Sequence, residues 1–380
     1  RQVAFIDHHV YADDRGYIAV IGSDGTGRKT LTPEWSSANG LAWAPGGGEL
    51  WFTAAEQGPN CALRATSLSG RGRLLMRSGG RMMLQDVRRD GRVLLTDGRF
   101  RIGMAHRDVR TRAERDLSWL DVSVVGDVSA DGRMVLFSQT GNSGRGGMYS
   151  SYLRAADGAA AVRLGEGLAS ALSPDGKWAV STVHGSPSHL VVWPTGAGQA
   201  RVLPDGGLGD QQSVSWTPDG GQLVFMGSRA GAAPRLYVQD AWGRSEPRPA
   251  SPEGYHVPLF GKPVAPDGQA LAAVDARGQV AILPLDGGAA REVSGLKPGD
   301  VPLRWAGATS LYVFRFGELP GRVHRFDLAS GQRELVTELM PADPAGVGQI
   351  IAVQVAADGR SCAYSYKQNL ADLFLVSGVR

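Results

Sequence analysis

Ser173-Pro174-Asp175-Gly176-Lys177-Trp178-Ala179-Val180 decides how the chain is read, because it recurs. It returns as Thr217-Pro218-Asp219-Gly220-Gly221-Gln222-Leu223-Val224-Phe225, and in shorter form as Ala265-Pro266-Asp267-Gly268, Ser129-Ala130-Asp131-Gly132, Arg89-Asp90-Gly91 and Ala357-Asp358-Gly359. Eroded copies stand at Ala44-Pro45-Gly46-Gly47 and Trp305-Ala306-Gly307. With the Asp or its equivalent as marker, the copies fall at positions 46, 90, 131, 175, 219, 267, 307 and 358, spaced by 40 to 51 residues. Self-similarity at such a period is the signature of a repeat architecture.

The copies share an internal grammar. A short apolar run such as Ser213-Val214-Ser215-Trp216 precedes the motif. Asp-Gly then makes a tight corner, since Gly accepts positive φ and Asp bonds its own backbone. A second strand follows, then a third with alternating faces (Arg235-Leu236-Tyr237-Val238) and a short outer one (Arg201-Val202-Leu203). Four antiparallel strands per repeat make a propeller blade, and radial repetition protects the sheet edges. The expected fold is an all-β propeller of four-stranded blades, one domain over residues 1–380. Eight markers predict eight blades, and the ends admit seven to nine. Residues 2–33 read as second, third and fourth strands without a first, and 349–377 as first, second and third without a fourth. Simple closure then pairs the outer strand near Lys29-Thr30-Leu31 with the C-terminal sheet.

Composition agrees. Of 380 residues 53 are Gly and 21 Pro, which suits a turn-rich β protein and not a helix bundle, and 42% hydrophobic residues suffice for a sizeable core. The net charge is +3 with both signs scattered, so nothing marks a nucleic-acid partner or an anionic membrane. No apolar run reaches the ~18 residues of a membrane helix, so no insertion by this chain is expected. The opening Arg1-Gln2-Val3-Ala4-Phe5 reads as a segment of a longer protein. Cys61 and Cys362 permit one disulfide, and whether they pair stays open.

The Xaa-Pro-Asp-Gly repeat with its following apolar strand resembles the TolB-type (PD40, WD40-like) propeller repeat across the whole chain. A more particular set, including Val3-Ala4-Phe5-Ile6-Asp7-His8, Leu50-Trp51-Phe52-Thr53-Ala54, Arg115-Asp116-Leu117-Ser118-Trp119-Leu120-Asp121 and Asp372-Leu373-Phe374-Leu375-Val376, resembles the C-terminal propeller regions of bacterial receptor-like serine/threonine protein kinases. That resemblance implies a kinase domain in cis, N-terminal to this region. It implies either an extracytoplasmic sensor of a membrane kinase or a cytoplasmic module, and it transfers no catalytic residue.

Motifs that invite chemistry have plainer readings. His106-Arg107-Asp108 lacks an Asn five residues beyond the Asp, a Gly-rich loop and a metal-binding Asp-Phe-Gly, so kinase catalysis is not expected here. In Gly22-Ser23-Asp24-Gly25-Thr26-Gly27-Arg28-Lys29-Thr30 an Arg separates the last Gly from the Lys, and a strand follows where a phosphate loop needs a helix. Gly141-Asn142-Ser143-Gly144-Arg145 fails the nucleophile-elbow pattern at its last position. Seven dispersed histidines and two distant cysteines give no metal-ligand spacing, so no metal or cofactor is expected. His8-His9 with Asp13-Asp14 reads as a solvated loop.

Ligand contacts are expected on loops that lead from an outer strand to the next blade. The candidates are Asp13, Asp14, Trp35, Trp119, Asp121, Tyr255 and His256. Trp43, Trp178, Trp216 and Trp305 are expected to pack blades, and the corner aspartates to be scaffold. The function expected is a non-catalytic sensor or interaction module for an unknown ligand or protein partner. The alternative is a propeller enzyme, either a polysaccharide lyase or the accessory domain of a prolyl-oligopeptidase-like hydrolase.

Overall fold

The Asp-Gly corners fold as the repeat demands. The Gly176 amide donates to Ser173 O at 2.9 Å with Gly176 at φ 68°, a left-handed conformation in which a Cβ is costly. Asp175 Oδ1 accepts from the Ser173 hydroxyl at 2.6 Å and from the Lys177 amide at 3.1 Å. Asp219 repeats this with the Thr217 hydroxyl and Gly221 amide, and Asp131 with the Ser129 hydroxyl and Arg133 amide. Each carboxylate therefore closes its own turn, as the scaffold reading holds.

Every element is a strand in the computed structural model, which describes residues 1–8, 14–57, 60–140, 149–185, 187–258, 261–286 and 288–379. The strands form antiparallel sheets, five of them four-stranded in simple consecutive order within residues 123–339 or 37–76 and others irregular. The chain clusters into two compact units, Arg1–Phe100 with Asn369–Arg380, and Arg101–Gln368, where the sequence predicts one domain.

The second unit is a closed ring. Blade I is Ser123–Val128, Met134–Thr140, Tyr149–Ala155 and Val162–Glu166. Blade II is Leu168–Leu172, Trp178–Val183, His189–Pro194 and Arg201–Val202, and blade III is Asp210–Trp216, Gln222–Ser228, Arg235–Asp240 and Arg248–Pro249. Blade IV has three full strands, Ala270–Val274, Val280–Pro284 and Arg291–Glu292. Pro263 has no N–H for the ladder, and the blade's first strand is reduced to isolated bridges, His256 to Val274 and Val264 to Leu271. Blade V is Asp300–Trp305, Ser310–Arg315, Gly321–Asp327 and Arg333–Leu339. Blade VI joins the two ends of the ring, running in space as Glu114–Asp116, Val93–Asp108, Ser361–Val376 and Val347–Val355.

Six apolar cores link these blades in a cycle. Leu136 and Leu153 of blade I pack on Ala169 and Ala179 of blade II; Val180 and Val192 of blade II pack on Trp216 and Phe225 of blade III. Val224 and Val238 meet Leu271 and Leu283 of blade IV, and Val280 and Ile282 meet Leu311 and Phe326 of blade V. Phe314 and Leu339 meet Ile350 and Tyr364 of blade VI, and Met104 and Ala363 return to Val125 and Phe137 of blade I. A ring of six is complete within residues 101–368, which is why the eight markers do not form one ring of eight.

The first unit carries the remaining repeats as stacked sheets. Gln2–Asp7, Tyr17–Gly22 and Lys29–Thr30 form a three-stranded sheet lacking a first strand, as expected. A four-stranded sheet follows in Ser37–Trp43, Glu49–Ala55, Ala62–Ser67 and Gly72–Met76. Arg81–Val87 then pairs with the start of Val93–Asp108. Ile18, Val20, Leu50 and Phe52 fill one core, and Trp51, Leu63, Leu84 and Leu95 the next. Two expectations about closure are corrected. Lys29–Thr30 pairs only with Ala19 and Val20 of its own sheet, and residues 361–376 are one continuous strand, not a second and a third. The long strand Val93–Asp108 supplies the partner that closure requires.

A half-buried clasp holds blade VI. Tyr364 Oη donates to Glu114 Oε2 at 2.7 Å, Arg107 pairs with the same oxygen at 3.1 Å, and the Ala342 amide donates to Glu114 Oε1. Burial and the Glu114 carboxylate push the Tyr364 phenol upward, so it stays a donor. Beside it burial pushes the Cys362 thiol up to about 12. Both cysteines are buried and free. Tyr364→Phe removes one buried bond to a charged acceptor and should lower stability by about 1.5–3 kcal/mol, read from the urea-unfolding midpoint of the full chain. The corner carboxyls of Asp131, Asp175 and Asp219 lie below their ordinary 3.8, held there by hydroxyl and then backbone donors. Because the unfolded chain binds more protons below that value, stability should fall as pH drops from about 4 through the lowered folded values. Asp→Asn at all three corners should flatten that decline in acid urea titrations.

Candidate binding site at the mouth of the six-blade ring

In the first strand of five ring blades the register against the second strand slips by at least one residue. The slips lie between Val125 and Asp127, Ala169 and Ala171, Gln212 and Ser215, Pro302 and Arg304, and Ile350 and Ala352. A bulge re-aims the side chain that follows it and leaves backbone groups outside the ladder. At Gly126 the bulge packs so tightly that a Cβ would lie 2.4 Å from Ala169 O.

Just beyond the bulges, where the first strands run into the Asp-Gly corners, a cavity of about 430 Å³ is lined by all six blades. Asp127, Leu172, Trp216, Lys262, Arg304 and Ala357 stand for blades I to VI in turn. Lys262 crosses the ring. Its Nζ lies 3.6 Å from Asp127 Oδ2 of blade I and donates to Ser170 O of blade II, while its amide donates to Leu303 O of blade V at 2.6 Å. Ser170 and Leu303 are the extra residues of two bulges, so their carbonyls are available for this. Asp127 is satisfied on both oxygens, taking the Val128 amide on Oδ1 and the Leu172 amide on Oδ2, each at 2.8 Å. Lys262 and Asp127 are 8% and 3% exposed, which makes theirs a buried pair. Burial lowers the Lys262 pKa, Asp127 opposes that shift, and the nearby Arg304 adds to it.

The remaining polar groups divide into committed and free. The hydroxyls of Ser129 and Ser173 donate to their corner carboxylates and that of Ser215 to Gly261 O. Trp305 Nε1 donates to Pro263 O at 2.7 Å. Arg304 donates to Val355 O at 2.6 Å, and among the described residues no carboxylate pairs with it. Trp216 Nε1 is buried and has no partner among the described residues.

The residues expected to contact a ligand lie outside this cavity. Trp119 and Asp121 precede blade I and Tyr255 and His256 precede blade IV, so they sit at the opposite ends of the first strands from the cavity and on opposite sides of the ring. Trp119 is 39% exposed, with the Arg154 guanidinium 5.4 Å from its ring; Asp121 O accepts the Ile102 amide. Tyr255 packs on the core between blades III and IV. His256 exchanges backbone bonds with Val274, and burial lowers its pKa against the pull of Asp275. Within the first unit Trp35 is a core residue with the Arg64 guanidinium 4.4 Å from its ring, and Asp14 pairs with Arg81 at 2.7 Å. Asp13, His9 and residues 141–145 lie outside the described residues. Trp43, Trp178, Trp216 and Trp305 pack in blade cores as expected. Among the described residues no group of three His, Cys, Asp or Glu is placed to hold a metal, and no helix is long and apolar enough to cross a membrane.

Sequence reasoning missed Asp127, Lys262 and Arg304. The signal was there: a charge three to five residues ahead of a corner, as in Val124-Val125-Gly126-Asp127-Val128 and Val301-Pro302-Leu303-Arg304-Trp305, inside a run otherwise apolar or small. Lys262→Met leaves the Asp127 carboxylate buried without its cation and should lower stability by about 3 kcal/mol, measured by urea unfolding of the full chain.

No family model matches the chain, and no curated protein matches it. Among solved structures it is similar to a protein named as TolB from Agrobacterium tumefaciens, at 16% identity and TM-score 0.48, over 71% of this chain and 99% of that one. It is similar to TolB from Acinetobacter baumannii at 17% identity and TM-score 0.38, over 76% and 65%. A puromycin-hydrolyzing peptidase of Mycobacterium tuberculosis aligns at 14% identity and TM-score 0.44, over 83% of this chain and 56% of that one. The chain thus spans little more than half of the peptidase. The six sheets and their cyclic cores, not these likenesses, establish the propeller.

Proposed function

We propose that the chain is a non-catalytic binding module whose contact site is the corner-side mouth of the six-blade ring. In this reading it serves as the sensor or interaction region of a bacterial receptor-like serine/threonine kinase carried in cis. The observation that carries the binding reading is the commitment of the lining groups. The three serine hydroxyls that line the mouth are taken up by corner carboxylates or backbone, and both Asp127 oxygens by backbone amides and Lys262. Among the described residues no histidine lines it. A nucleophile needs a base within hydrogen-bond reach, and none of these groups forms such a pair, whereas Arg304 retains donors.

The rigid ring holds those donors in place before a ligand arrives, so little ordering opposes binding. A kinase in cis would sense occupancy only if the ligand binds its two states unequally. The kinase attachment is supported by the segments at residues 3–8, 50–54, 115–121 and 372–376, which resemble such proteins.

The test is a thermal-shift screen of the full chain against glycans, peptides, nucleotides and organic acids, with mass spectrometry of each hit after prolonged incubation. A raised melting temperature with the compound recovered intact is expected. Chemical conversion of any hit overturns the binding reading in favour of a propeller enzyme. For the attachment, the parent gene upstream of Arg1 should encode a Gly-rich loop, a catalytic loop and a metal-binding Asp; a hydrolase domain there would sink it.

A further inference from the structure

We propose that the mouth of the ring is a receptor for a small organic carboxylate with an apolar body, an inference that rests on the binding reading above and names its ligand class. Charge points first to an anion. Two cations, Lys262 and Arg304, face a single carboxylate, Asp127, among the residues lining the cavity. Asp127 is saturated by two backbone amides and Lys262, so it offers nothing to a cationic ligand or a metal ion. Lys262 in turn is held by Asp127 and Ser170 O. The excess positive charge therefore resides on Arg304, anchored through one nitrogen on Val355 O and with its remaining donors unclaimed by any described carboxylate. A fixed guanidinium fork matches a carboxylate through two parallel hydrogen bonds.

A second observation is independent of charge. Trp216 lines the same cavity with its indole N–H buried and unpartnered among the described residues. A buried donor without an acceptor costs about 1–3 kcal/mol, and a ligand oxygen would relieve it. Apart from three serines whose hydroxyls are already engaged, the rest of the wall is mainly apolar, with Leu172, Val264, Trp305 and the corner prolines Pro174, Pro218 and Pro266. One excess positive charge and an apolar wall suit a monoanion with a hydrocarbon body. A phosphate dianion would find too few donors, since it must replace a larger hydration shell. The volume, about 430 Å³, suits a small molecule.

The experiment is calorimetric titration of the full chain with hexanoate, cyclohexanecarboxylate and phenylacetate, beside phenylacetamide and inorganic phosphate, each to about 10 mM, the range of weak small-ligand affinities. Saturable binding of at least one carboxylate is expected, with phenylacetamide and phosphate silent. Arg304→Gln should weaken that binding at least about tenfold, the loss of one charge-assisted pair, and Trp216→Phe should weaken it less. Arg304→Gln also gives up the bond to Val355 O, so circular dichroism and the melting temperature check that the variant is folded at the titration temperature, and Lys262 is left intact to avoid unfolding. No carboxylate binding, equal binding by Arg304→Gln, or equal binding of phosphate overturns the proposal. Binding of a neutral glycan or peptide that Arg304→Gln abolishes also overturns the carboxylate assignment while leaving the binding-module reading standing, whereas turnover of a bound acid overturns that reading instead.

Discussion

The ring depends on one long-range pairing. Val93–Asp108 must lie against Ser361–Val376, strands separated by more than 250 positions in the chain. Closing so long a loop carries a large entropic penalty, and the five other blades repay none of it until their faces can meet in a circle. The Glu114 carboxylate stands at this seam, holding Tyr364, Arg107 and the Ala342 amide together. Once the seam forms, each blade has a neighbour on both sides and no apolar face of the ring is left over. The mouth can be built only then, since its lining comes from every blade.

The cross-ring lysine is a second expression of the same geometry. A buried ion pair is weak evidence of stability, because desolvation can equal the attraction gained. Its value here is positional. Lys262 reaches groups on blades I, II and V at once, and it can do so because Pro263 breaks the first strand of its own blade. The same break that thins blade IV delivers a cation to the axis. Arg304 is then held close to a like charge, which favours any anion that enters.

Local chemistry was legible in the sequence, and global closure was not. The corners at Asp131, Asp175 and Asp219 were readable because both the aspartate oxygen and the glycine φ act within four residues of themselves. The incomplete first sheet was readable for a similar reason, since Gln2-Val3-Ala4-Phe5 copies Gln222-Leu223-Val224-Phe225. Ring size was not, because no short-range feature of residues 93–108 says that their partner is residues 361–376. Trp119 and Tyr255 are loop aromatics in the sequence, yet Tyr255 is held by core packing and Trp119 by an arginine of its own ring. The residues that do converge were hidden by the repeat itself. A charge such as Asp127 looks incidental in one strand, and gains meaning only when the ring brings Lys262 to it.

The recurring slip in the first strands separates two tasks within each repeat. Positions 127, 171, 215, 304 and 352 follow it in the first strands of five of the six ring blades and carry Asp, Ala, Ser, Arg and Ala, while the hairpin corners nearby close their own turns. Diversity and foldability are thereby assigned to different letters of each repeat. Exchanging the post-slip residues at 127, 171, 215 and 304, which line the cavity, would therefore change what the mouth presents while leaving the turns that fold each hairpin in place.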